Sequence, residues 1–106
     1  MREWDPANWM KEWTFASAPF AVFVHTPLCG TCLAAKKMLA VAEALVPELP
    51  VSAANLNVMP GLAQRFQIES VPCLLVKKAS GEWTKNYRFP SVTELVETMR
   101  NARDGR

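Results

Sequence analysis

Hydrophobic positions along the chain switch repeatedly between continuous runs and stripes of helical period. The first run, Pro19-Phe20-Ala21-Val22-Phe23-Val24, is unbroken by polar residues and mixes β-branched with aromatic side chains. A strand buried on both faces reads this way, as in the middle of a sheet covered by helices. Upstream, Asp5 followed by Pro6 has the chemistry of an N-cap and first helical residue, which predicts a helix through about Thr14. Trp9 and Trp13, one turn apart, would share one face of it. Downstream, Leu33, Met38, Leu39, Ala42, Leu45 and Val46 recur at helical spacing until Pro47 ends the pattern.

The second half repeats the alternation with shorter elements. Val51 to Val58 predicts a strand, and Pro60 opens a short helix carrying Leu62 and Phe66 on one side. Cys73 to Lys77 predicts a third strand, Ala79-Ser80-Gly81 a turn, and Glu82 to Phe89 a fourth strand, so the last two form an antiparallel hairpin. Pro90-Ser91 precedes a final helix striped by Val92, Leu95, Val96 and Met99. The order is α-β-α-β-α-β-β-α in one domain over residues 1–106, with helices for both faces of a central sheet.

Composition narrows the function classes. A chain of 106 residues, half of them hydrophobic, builds one modest core. A net charge of +2 from scattered acids and bases gives no footprint for nucleic acid and no polybasic membrane patch. The first residues, MREWDPANWMKEW, lack the apolar run of a signal peptide, and no stretch approaches about 20 apolar residues. A cytoplasmic protein without membrane or nucleic-acid partners is expected.

The candidate chemistry lies in HTPLCGTCLAAKKML, where Cys29 and Cys32 stand three apart as the first strand hands over to a helix. Such a pair can be a redox couple, half of a metal site or a loop staple. The element order, with C-x-x-C at the first strand-to-helix junction, resembles the thioredoxin family over nearly the whole length. AVFVHTPLCGTC, PGLAQRFQIESVPCLLV and SGEW carry the resemblance, with Val71-Pro72 opening a strand about 40 residues after the pair. It implies a thioredoxin-like α/β fold: a mixed sheet of about four strands with helices on both faces, the first strand short or missing because only Met1 to Trp4 precede the first helix. It also implies a cis Pro72 packed against the cysteines.

The resemblance further implies a thiol–disulfide oxidoreductase needing no cofactor or metal. A cysteine at a helix start faces unpaired N–H groups and the positive end of the helix dipole, which favour thiolate over thiol. Such cysteines have pKa values of roughly 3.5 to 7.5. Cys29 is then the nucleophile and Cys32, one turn on, the resolving thiol. Gly30 would let the chain turn and a substrate backbone approach. Thr31 stands where the best-known thioredoxins carry proline and bears on redox potential. Val71 and Pro72 would support substrate binding. Expected partners are disulfide-bearing proteins or small thiols and a reductase or thiol donor, with the chain itself a monomer.

Departures from the family pattern are concentrated around the pair. Phe23 stands where the family carries a buried aspartate, six residues before the first cysteine, and Asn55 where a partnering lysine is usual. Leu28 replaces a tryptophan, Lys37 a helix-kinking proline and Phe89 a glycine of the docking surface. The usual proton relay is thus absent or replaced: either water or a backbone group substitutes for it, or general acid–base help of order 10²–10⁴ is lost. His25, the single histidine, is either a substitute proton carrier or a packing residue, and we read it as packing. Cys73 is either a regulatory thiol or a packed one, and we read it as packed. Trp4, Trp9, Trp13 and Trp83 are expected to cover the sheet. Two other function classes remain open: a metal or iron–sulfur site sharing cysteines between two chains, and a non-catalytic binding protein of the same fold.

Overall fold

The computed structural model describes residues 1–106 and is organised around a five-stranded mixed sheet in the order β1-β3-β2-β4-β5. The elements are β1 (Arg2–Glu3), α1 (Trp9–Phe15), β2 (Phe20–His25), α2 (Gly30–Leu45), β3 (Val51–Asn55), α3 (Pro60–Phe66), β4 (Cys73–Lys77), β5 (Trp83–Asn86) and α4 (Val92–Arg103). β3 runs parallel to both β1 and β2, whereas β2–β4 and β4–β5 are antiparallel. The first strand is short: two residues, held on the sheet edge by Trp4 N–H donating to Ala53 C=O at 2.7 Å.

The period of two in β2 divides the core. Ala21 and Phe23 turn to the α2/α4 side, with Ala35, Leu39, Ala42, Leu95 and Met99. Phe20, Val22 and Val24 turn to the α1/α3 side, with Trp13, Leu62 and Phe66. Both sides are dry, so β2 is buried on both faces, as its apolar run requires. Each fully buried Leu or Phe contributes about 2–3 kcal/mol of hydrophobic stabilisation.

Element ends depart from the expectations where a side chain captures a backbone group. Helix α1 starts at Trp9, not Pro6: the Asp5 carboxylate accepts from Ala7 N–H at 2.9 Å and from the Asn8 amide, closing a turn ahead of the helix. The second long strand stops at Asn55 instead of Val58, because the Asn55 side chain accepts from Asn57 N–H and starts a 3₁₀ turn over Leu56–Val58. β5 ends at Asn86, not Phe89, where the Asn86 side chain accepts from Arg88 N–H. The β4–β5 turn closes as expected through Gly81, whose φ of +94° suits glycine. In α2, Leu33 and Leu45 belong to the apolar stripe by period yet stand in solvent, 64% and 55% exposed. Trp4 and Trp13 are buried over the sheet, Trp9 packs beside them, and Trp83 is exposed at 38% with its ring edge-on to Trp13 and Phe66.

Candidate active site

The site forms where the buried β2 runs out at His25 and the chain must reverse into α2. Thr26 and Pro27 leave the sheet, and Leu28 makes the turn with φ +62°, a left-handed conformation costing a non-glycine residue about 1–2 kcal/mol. The turn was expected at Gly30. That residue is instead the first of the helix, and a Cβ there would meet nothing within 4 Å. Leu28 is fully exposed beside the sulfur it introduces.

Cys29 is the N-cap of α2, half-buried, and joined to Cys32 as a disulfide with Cα atoms 5.1 Å apart. Its Sγ accepts from Cys32 N–H at 3.2 Å, and the Thr31 hydroxyl lies 3.4 Å from the same sulfur. Around the Cys29 sulfur the structure thus gathers a backbone donor, a hydroxyl and the positive end of the helix dipole, groups that suit a thiolate. Cys32 is only 4% exposed and sits among Phe23, Ala35 and Leu39. Desolvation there favours the neutral thiol. The two sulfurs thus differ in setting: Cys29 is half-buried at the helix start, and Cys32 is almost wholly buried behind it.

Pro72 stands across the site from the helix. With Thr31, Ala34, Ala35, Met38, Tyr87 and Phe89 it lines a shallow groove of about 360 Å³ that carries no charged side chain. The Val71–Pro72 bond is cis, and Val71 packs against both core clusters. The structure therefore brings Cys29, Gly30, Thr31, Cys32, Val71 and Pro72 to one end of the sheet.

Phe23 is wholly buried behind the pair. Its ring stacks on His25, centroids 5.5 Å apart and planes 6° from parallel, and meets Phe89 edge-on at 6.0 Å. The residue opposite Phe23 on β3 is Ala53, not Asn55, which pairs with His25. Register moves the polar Asn55 side chain two residues outward, and Phe23 faces Ala53 with no carboxylate from either strand. His25 packs on Phe23 and its Nε2 lies 3.1 Å from Glu3 Oε1, tying β1 to β2.

Cys73 lies on the far side of the sheet from Cys32, among Val24, Leu75 and Phe66. Burial pushes its thiol from the ordinary 9.0 up to about 11, against smaller pulls from the Asn86 backbone and Lys85. In the reduced native protein, iodoacetamide at pH 8 is expected to label Cys29 and leave Cys73 untouched until the chain unfolds, as peptide mapping would show. Because the unfolded thiol ionises first, Cys73 removes stability as pH rises from about 9 to about 11, a decline that Cys73→Ala should abolish. Labelling of native Cys73 at pH 8 would contradict this placement.

Fold and site together define a thioredoxin-fold protein with its cysteine pair at the head of α2. Over 81 residues, 76% of each chain, the sequence is 38% identical to the thioredoxin-like protein YusE of Bacillus subtilis (strain 168). The chain belongs to the thioredoxin-like family. Among solved structures it is similar to chloroplastic thioredoxin z, with a TM-score of 0.84, 15% identity, and 99% of this chain and 96% of that one covered. Mitochondrial thioredoxin 3 of Saccharomyces cerevisiae, in its oxidised form, gives 0.80 at 13% identity over 95% and 94% of the chains. Fasciola hepatica thioredoxin gives 0.79 at 17% identity over 97% and 100%. At these identities the likeness is one of fold. No family profile matches the chain. A thioredoxin-like fold carrying two cysteines at disulfide distance supports thiol–disulfide oxidoreductase chemistry in general.

Proposed function

We propose that the protein reduces disulfides of proteins or small thiols by dithiol–disulfide exchange at Cys29 and Cys32. The observation that carries this is the asymmetry of the pair: a half-buried sulfur at the helix start, met by the Cys32 N–H, and a buried one a single turn away. The Cys29 thiolate attacks one sulfur of the substrate disulfide, whose S–S bond breaks, and the departing thiolate takes a proton from solvent. Cys32 loses its proton and attacks the Cys29 sulfur of the mixed disulfide. The second substrate thiol leaves, and the protein holds the Cys29–Cys32 disulfide seen here. Two electrons have moved, and a dithiol donor or a reductase must return them. Supporting groups are Thr31 at the sulfur and Val71-Pro72 beside the groove.

The proposed setting is the reducing cytoplasm, where a C-x-x-C pair serves as a redox motif. No group of three or more His, Cys, Asp or Glu side chains is placed to hold a metal ion, so a metal reading requires cysteines from two chains. The deciding experiment is turnover of bis(2-hydroxyethyl) disulfide and of insulin with dithiothreitol as donor. Catalysis above the uncatalysed rate is expected for both. A chain that catalyses neither is a binding protein on this fold.

A further inference from the structure

Helix α2 is apolar around nearly its whole circumference. Its inner side, Cys32, Ala35, Leu39 and Ala42, is buried against the sheet and α4. Its outer side carries Leu33, Val41 and Leu45, exposed at 64%, 51% and 55%, with exposed alanines at 34, 40 and 44 between them. A surface helix ordinarily keeps its outer face polar, and an exposed apolar band marks an interaction site. The charges on this face are Lys36 and Lys37 alone. Glu43 is half-buried and turned to the sheet, where it accepts from Val51 N–H at 2.9 Å. At its far end Leu45 borders a groove of about 540 Å³ shared with Val92, Val96, Glu97 and Arg100.

Three features select the occupant. The band starts at the disulfide, since Leu28 and Leu33 flank Cys29 and Cys32, so whatever reaches the sulfur covers its first turn. Sixteen residues make a helix about 24 Å long, offering about 250–300 Å² against the ~800 Å² per partner of a stable complex. That area suits a brief redox encounter rather than a permanent dimer. A second copy would also set four lysines against one another, whereas an acidic rim would answer them. A bilayer laid along α2 would press Cys29 into lipid and stop exchange.

We propose that the outer face of α2 docks an apolar, acid-rimmed surface of the protein that exchanges electrons with Cys29 and Cys32. This rests on the oxidoreductase reading above. The face steers the partner through Lys36 and Lys37 and holds it through Leu33, Val41 and Leu45, while small disulfides use the groove at Pro72 alone.

The test uses the double variants Val41→Glu/Leu45→Glu and Lys36→Glu/Lys37→Glu, all at solvent-facing positions where glutamate is a good helix former. Insulin, a small acidic protein with exposed disulfides, is the protein probe, and bis(2-hydroxyethyl) disulfide the small one. Insulin reduction is expected to fall about tenfold in each variant and small-disulfide reduction to stay at the wild-type rate. Equal rates with insulin in variants and wild type overturn the proposal, as does a parallel loss with both probes. Failure of the wild type with both probes instead removes the oxidoreductase reading beneath it. Concentration-dependent dimerisation abolished by Val41→Glu/Leu45→Glu, or sedimentation with phosphatidylglycerol vesicles abolished by it, would reassign the face and equally overturn the proposal.

Discussion

Cys29→Ser is expected to slow disulfide reduction by at least about a thousandfold, the scale seen when an enzyme loses its nucleophile. A serine hydroxyl keeps the N-cap but cannot ionise near neutral pH, so the first exchange does not begin. Cys32→Ser should give a different defect. Attack by Cys29 proceeds, resolution fails, and the substrate remains covalently attached. Cys73 cannot rescue the intermediate, because it lies on the opposite side of the sheet. Non-reducing mass spectrometry after mixing each variant with insulin reads the outcome directly. Loss of activity in both variants without an adduct on Cys32→Ser would show that the two roles are wrongly assigned.

Phe23→Asp is expected to produce the largest change in stability. The side chain is wholly buried against Phe89 and Ala53, and its one polar neighbour here, the His25 ring stacked on it, is already engaged by Glu3. Leaving an uncompensated charge there costs about 3–5 kcal/mol, a large share of the ~5–15 kcal/mol that holds a domain together. The pH dependence has a definite sign. Burial raises the folded-state pKa of the new aspartate above its unfolded ~3.9, so the unfolded chain releases its proton first. The variant is therefore least impaired below about pH 4 and loses stability as pH rises toward its folded pKa. Denaturant titrations at pH 4 and pH 7 measure this directly. Where the variant remains folded, decay of its mixed disulfide should show a titration that the wild type lacks, because a carboxylate couples to the thiols. A wild-type titration that vanishes in His25→Ala would instead make His25 a proton carrier and overturn its reading as a packing residue.

These contrasts also show what the sequence could and could not disclose. Runs of one character were legible: β2 from its unbroken apolar stretch, β4 at Cys73–Lys77, the end of α2 before Pro47, and the hairpin around Gly81. Asp5, Asn55 and Asn86 hid the element ends, since a side chain that bonds a backbone N–H two residues on competes with hydrophobic period. Register was hidden too. Nothing in the composition of β3 distinguishes Ala53 from Asn55 as the neighbour of Phe23, because that choice depends on Val51 pairing with Ala21. The placement of the cysteine pair at a helix start was legible from its spacing, but the turn at Leu28 was not, because leucine carries no signal for positive φ. The outer face of α2 escaped a period-based reading for a simple reason: a helix apolar nearly all round, broken only by Lys36, Lys37 and Glu43, gives period little with which to choose its inward side.

The two ends of the sheet bear on how the protein behaves when concentrated. β1 offers two residues and β5 four, with Lys85 in the latter, so neither border presents a long, flat row of free amides and carbonyls. Short, charged borders give a neighbouring chain little template for strand addition, the usual route to fibrous aggregates. A partly reduced preparation should consequently associate first through Cys29, whose thiolate opens the Cys29–Cys32 disulfide of another copy, in adducts that dithiothreitol reverses, and not through β-structure that only denaturant removes.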